Sequence, residues 1–211
     1  FGDSPVSLHE MMTGYFIPGG QWFSDIDNFR AKDPGEEYQY SNFASGLAGY
    51  LIESISGVEL RDYSAANLFN PLGMLNTGWE LSDFADISKI AMPYYDNGEP
   101  IGHFSYPDYP SGQLRTSPND IGIYMAMLLG GGQIEGGVSV MQSETIDLAF
   151  NDVLVNHGDQ GVMWYNEYNY GERNACHSGS DYGVSTDLCL MLESELGSAI
   201  LVNSNSGQAF T

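Results

Sequence analysis

An α+β fold, with a largely helical first part and an antiparallel sheet at the end, is predicted by three features of this 211-residue sequence. Apolar residues recur at helical spacing behind recognisable caps between positions 42 and 57 and again between 117 and 129. From about residue 161 the pattern changes to four short apolar or alternating runs separated by Gly, Ser, Asp and Glu, which read as a strand meander. The composition, 42% apolar and only 16% charged, excludes a disordered polyelectrolyte. A chain of this size buries roughly 70% of its unfolded surface, enough for one sizeable core or two small ones.

Taken in order, Ser7-Leu8-His9-Glu10 is a capping box that opens a short helix expected to stop at Gly14. Residues 14–39, rich in Gly, Pro, Asp and aromatics, read as a long structured loop. A helix follows from Asn42, with Phe43, Leu47, Tyr50, Leu51 and Ile55 on one face and Gly57 as C-cap. The next helix spans about Glu59 to Phe69 and is expected to end before Pro71. Residues 76–116, with Pro93, Pro100, Pro107 and Pro110, form a second irregular stretch, and one that long is usually functional. Ser117-Pro118-Asn119-Asp120 then starts a helix to about Leu129: Ser117 caps, Pro118 fits the first turn, and Asp120 sits at the positive end. A shorter helix follows Ser143. The four runs are Gly161–Tyr168, Asn174–Gly179, Val184–Leu192 and Ala199–Asn203. The organisation is a mostly helical region, 1–158, and a sheet meander, 159–211, of the same domain.

Charge narrows the partners. With 28 acidic against 6 basic residues the chain carries −22, so nucleic acid is excluded as a partner and an anionic membrane surface is disfavoured. No apolar run approaches the ~18 residues of a membrane span. Two cysteines, Cys176 and Cys189, are too few for a disulfide-dense scaffold and lack zinc-type spacing. A turn centred on Asp181-Tyr182 sets Cys176 opposite Asp187, with Cys189 only a diagonal neighbour, which predicts two free thiols. His9, His103 and His157 have no mutual metal-ligand spacing, and Asp25 and Asp27 lack the glycine and distal glutamate of a calcium loop. Neither metal nor organic cofactor is expected.

Three segments carry candidate chemistry. Tyr40-Ser41-Asn42 lies at a loop-to-helix junction, where Tyr40 either packs beside an Asn42 N-cap or exchanges a proton with a substrate. His177-Ser178-Gly179-Ser180 ends a strand. It reads either as a plain turn or as an edge where Gly179 admits a ligand and the Ser180 N–H faces a developing oxyanion. Tyr109–Thr116 reads as a loop or as a pocket wall.

The order and spacing of these segments resemble the penicillin-recognising serine hydrolases, specifically the class C β-lactamase-like branch with its carboxypeptidases, aminopeptidases and esterases. Tyr40-Ser41-Asn42 matches the Y-x-N motif, and His177-Ser178-Gly179 fits the H-x-G variant of K-T-G. Leu8–Thr13 is similar to the family's "LLTH" segment, Phe69–Met74 to its "PLGM" turn, and Ser111–Asp120 to its "AGGL-ST-x-x-D" segment. The resemblance implies a β-lactamase/penicillin-binding-protein-like fold, truncated at both ends. It implies Tyr40 as general base and His177 in the same proton network, facing Tyr40 across a cleft. Asn42, Ser178, Gly179 and Ser180 then hold the substrate.

One departure is large. The family nucleophile is the serine of S-x-x-K, and here Lys32 follows Phe29 and Lys89 follows Asp86 at that spacing. The expectation is therefore a fragment, inactive alone, of an exported serine hydrolase in the periplasm or outside the cell. It would cleave amide or ester bonds of a small-molecule or peptide substrate through an acyl-enzyme. Missing segments predict self-association or dependence on a complementary fragment. The alternative from another class is a non-catalytic module that binds peptides or glycans.

Overall fold

The computed structural model describes residues 2–134, 136–151, 160–169 and 171–204. The expected regional boundary at 158/159, and His157, lie outside the described residues. The chain forms two compact units: Phe1–Ala65 with Gly78–Ile87 and His103–Arg115, and Ala66–Thr77 with Ser88–Gly102 and Thr116–Thr211.

In the first unit, helix α1 (Leu8–Phe16) opens on the expected capping box, the Glu10 N–H donating to Ser7 Oγ and the Ser7 N–H to the Glu10 carboxylate. The helix runs through Gly14 rather than stopping there. Gly14 lies inside the last turn because the Trp22 ring packs on it; an added Cβ would sit 2.6 Å from Trp22 Cε3. Helix α2 (Asn42–Ser56) ends at Gly57 in the left-handed conformation, φ 71°. Its buried face is not the apolar stripe expected from the spacing. Gly46 and Gly49 are buried against Met12, Leu60 and Pro110, while Leu51 and Ile55 are 52% and 85% exposed. Close approach to the helix backbone needs the absence of side chains, so the small residues define the contact. Phe43 stacks on Tyr15 with ring centroids 3.8 Å apart, and His9 Nδ1 meets the Tyr50 hydroxyl at 3.0 Å.

Helix α3 (Leu60–Ser64) does not end ahead of Pro71. It widens into one π-turn, Ala65–Phe69, and closes as α4 (Asn70–Leu72) at Gly73, φ 75°. The wider turn avoids the clash of the proline ring with the carbonyl four residues back, the usual reason a helix stops there.

The second unit carries α5 (Pro118–Leu129), α6 (Ser143–Phe150) and one antiparallel sheet. Ser117 caps α5 by accepting from the Asp120 N–H at 3.2 Å. The sheet order is β1 (Tyr165–Asn169), β2 (Glu172–Asp181), β3 (Val184–Met191), β4 (Leu196–Val202), each strand beside its sequence neighbour. One face packs inward through Ala175 and Leu190, both fully buried, and through Gly197 under Met125 of α5.

The cysteines correct the sequence expectation: Cys176 and Cys189 form a disulfide. The β2–β3 turn is Tyr182-Gly183 rather than Asp181-Tyr182, with Asp181 opposite Val184 and Cys176 directly opposite Cys189. The physical reason is the backbone at Gly183, whose φ of 73° suits glycine in the second turn position. That choice moves the register by two residues.

Candidate active site

The candidate residues fall in two groups, one in each unit, and each is built by its own local structure. In the first unit Ser41, not Asn42, is the N-cap of α2. Its backbone is extended (φ −150°, ψ 120°) and its hydroxyl accepts from the Ala44 N–H at 3.3 Å. Capping by Ser41 leaves Asn42 as the first helical residue with an exposed side chain, and Tyr40 is 49% exposed. A phenol and a carboxamide are thus displayed two residues apart at a rigid helix start. A phenol there can take and return a proton, and an amide can donate to a carbonyl or accept from an N–H.

In the second unit His177, Ser178, Gly179 and Ser180 lie on the last part of β2. The Cys176 and Cys189 Cα atoms are 4.1 Å apart, the spacing of a non-hydrogen-bonded antiparallel pair. Alternating onward, His177, Gly179 and Asp181 exchange bonds with β3, whereas Ser178 and Ser180 turn their N–H and C=O groups outward. Strand β1 pairs only with Glu172–Cys176. Beyond Cys176, therefore, no described strand covers that outer edge, and the Ser178 and Ser180 backbone groups form an open row of donors and acceptors. Gly179 is exposed, and a Cβ on it would meet Thr186 Oγ1 at 2.5 Å. An extended substrate can pair with such an edge, and an outward N–H is suited to a developing oxyanion.

Side-chain alternation places His177 on the face shared with Ala175 and Gly179. Its ring stacks with that of Tyr165 (centroids 5.3 Å apart, planes at 24°). Sequence reading did not single out Tyr165; the available signal was an aromatic opening the strand before His177. Across β3, Asp187 is the partner of Ser178, and burial, then the nearby Glu167, pushes its carboxyl above the ordinary value.

The third segment, Tyr109–Thr116, is scaffold in its described contacts. Gln113 is buried and bridges the Tyr106 N–H to the Trp79 carbonyl. Arg115 donates to the carbonyls of Trp79 (2.7 Å) and Phe104 (2.8 Å). Its guanidinium is pushed below its ordinary pKa by burial, against the opposing pull of Asp3. Burial, then Glu53, pushes the Tyr109 phenol up, so that phenol is not poised for proton transfer. Among the described residues no three His, Cys, Asp or Glu side chains are grouped to hold a metal, and no helix is long and apolar enough to cross a membrane.

Comparison with known proteins bears on both groups. The family model described as Beta-lactamase matches residues 22–211. An unguisins hydrolase of Aspergillus campestris is 25% identical over 187 residues, covering 84% of this chain and 35% of that protein. The octameric penicillin-binding protein homologue of Pyrococcus abyssi superposes with a TM-score of 0.70 at 23% identity, over 98% of this chain and 50% of that one. A class C beta-lactamase mutant gives a TM-score of 0.72 at 16% identity, covering 96% and 66%. The chain thus spans about a third of the curated relative's length and half to two thirds of the solved chains.

Proposed function

Because the chain belongs to the beta-lactamase family, we propose that it forms part of a serine hydrolase that cleaves amide or ester bonds through an acyl-enzyme. The observation that carries this reading is the outer edge of β2 beyond Cys176, where Ser178 and Ser180, beside His177, turn outward backbone groups that no described strand pairs. On this reading an extended acyl substrate lies along that edge and its carbonyl oxygen is held by the Ser180 N–H. Asn42 holds the amide or ester group, and Tyr40 takes the proton of the nucleophile and returns it to the leaving group. His177 serves as a hydrogen-bond donor at that edge. The attacking serine, in an S-x-x-K segment, lies outside these 211 residues. Export to an oxidising compartment, periplasm or exterior, is part of the proposal; the disulfide supports it, since cytosolic thiols are generally kept reduced.

Tyr40→Phe in the full-length protein tests the reading, with p-nitrophenyl acetate and nitrocefin as substrates. Turnover should fall by about 10²–10⁴-fold with folding intact, the usual worth of a general base. Near-wild-type turnover removes Tyr40 from the mechanism. The 211-residue chain alone should take up no fluorophosphonate by intact mass; stoichiometric labelling would show that the nucleophile lies within it. The alternative, a peptide- or glycan-binding module, draws on the absence of S-x-x-K here. It is favoured if the full-length protein is also unlabelled.

A further inference from the structure

We infer that the Cys176–Cys189 disulfide is a positioning device for the open β2 edge: it sets the register in which His177, Ser178, Gly179 and Ser180 are presented to a substrate. This rests on the proposed role of that edge. Cys176 is the last residue of β2 with a partner in β1, so the bridge sits where the strand passes from two neighbours to one. Past it, among the described strands, the backbone of His177–Asp181 pairs with β3, while the His177 ring stacks on Tyr165 of β1.

The far end of the segment is fixed only in part. Gly183 packs against the 88–102 segment, where a Cβ would meet Ile101 Cδ1 and Pro93 Cβ at 2.7 Å. Of the two turn residues, however, only Gly183 has positive φ, so the turn is neither of the two types whose twist matches a hairpin. Such a turn splays the strands, so the turn and the bridge set the register together. A slip of two residues keeps every side chain on its face, so the hydrophobic pattern does not oppose it. That slip would set Cys176 against Asp187 and Cys189 against Asn174, and the covalent bridge forbids it. Loss of the bridge thus leaves the packed sheet intact while the outward Ser180 N–H loses its fixed position.

The test uses the full-length protein with p-nitrophenyl acetate, comparing wild type, C176S/C189S, and wild type reduced with dithiothreitol and alkylated with iodoacetamide. Before reduction, alkylation in denaturant should leave the peptides that carry Cys176 and Cys189 unmodified; an adduct on both would overturn the inference at once. Loss of the bridge should lower kcat by about 10–100-fold with KM changed less than threefold, because a displaced oxyanion donor acts chiefly on the transition state. Amide exchange of residues 177–181 should accelerate in the same samples. A bridge of purely structural value would lower Tm while leaving kcat and those amides unchanged at temperatures below the melt, and that result refutes the inference. If C176S/C189S does not fold, the reduced and alkylated wild type decides by the same readings. Failure of the underlying reading is separate: Tyr40→Phe would then retain turnover whatever the cysteines do.

Discussion

The interaction most suited to quantitative test is the buried carboxylate of Asp120, only 2% exposed, in the first turn of α5. Its Oδ2 accepts from the Asn76 N–H at 2.7 Å and the Thr77 hydroxyl at 2.9 Å, so one side chain ties the 76–77 segment to the helix start. Asp120→Ala removes two hydrogen bonds to a charged acceptor, each worth about 1.5–3 kcal/mol, and a favourable charge at the helix N-terminus worth about 0.3–1 kcal/mol. Part of this is recovered, because the Thr77 hydroxyl already lies 2.8 Å from that of Thr116 and can donate there. The Asn76 N–H has no such recourse. The net expectation is a loss of about 3 kcal/mol. With a urea dependence of about 3 kcal/mol per molar, the midpoint of the full-length protein should fall by about 1 M. Asp120→Asn keeps an acceptor without the charge and should cost about half as much. A midpoint shift below about 0.3 M for the alanine variant would falsify the assignment of this carboxylate as the tie between the two segments.

Three other perturbations give outcomes of opposite sign. The Asp187 carboxyl is raised above its ordinary value of 3.8, so the folded state binds its proton more tightly than the unfolded state and stability falls as pH rises through that window. Asp187→Asn should therefore raise Tm at pH 7 and leave it unchanged near pH 3; a lower Tm at pH 7 contradicts the burial argument. Gly46→Ala meets the far end of the unbranched, buried Met12 side chain, its Cε at 2.7 Å, with Asp108 Cβ at ordinary contact distance (3.5 Å), and gains about 1 kcal/mol of helix propensity, so thermal melts should show no loss. Gly49→Ala meets the rigid Pro110 ring at 2.8 Å and Leu60 Cδ2 at 2.9 Å and should lose about 1–3 kcal/mol. Equal melts for the two variants would mean that α2 does not pack through its glycines as described.

The sequence by itself determined the element order, because caps and periodicity are local. Ser7 with Glu10, Ser117 before Pro118, and Gly57 after Ser56 mark helix ends by hydrogen bonds that reach no further than one turn. Four alternating runs likewise located four strands, and the Y-x-N and H-x-G motifs located the candidate residues by type and order. Tertiary structure decided what depends on distance along the chain. Leu51 and Ile55 carry the apolar period of α2 yet remain exposed, because Gly46 and Gly49 let the side chains of Met12, Leu60 and Pro110 pack directly on the helix backbone. Pro71 ends a helix by local rules, and one π-turn removes the clash that those rules assume. Hairpin register was the least legible: slips of two residues leave the side-chain pattern of β2 and β3 unchanged, so alternation alone cannot tell a free thiol pair from a bridge. Gly183 in the turn and Cys176 against Cys189 selected one register, and with it the β3 residues, Asp187 and Ser185, that face Ser178 and Ser180, because a turn conformation and a covalent bond fix position where periodicity fixes only the face.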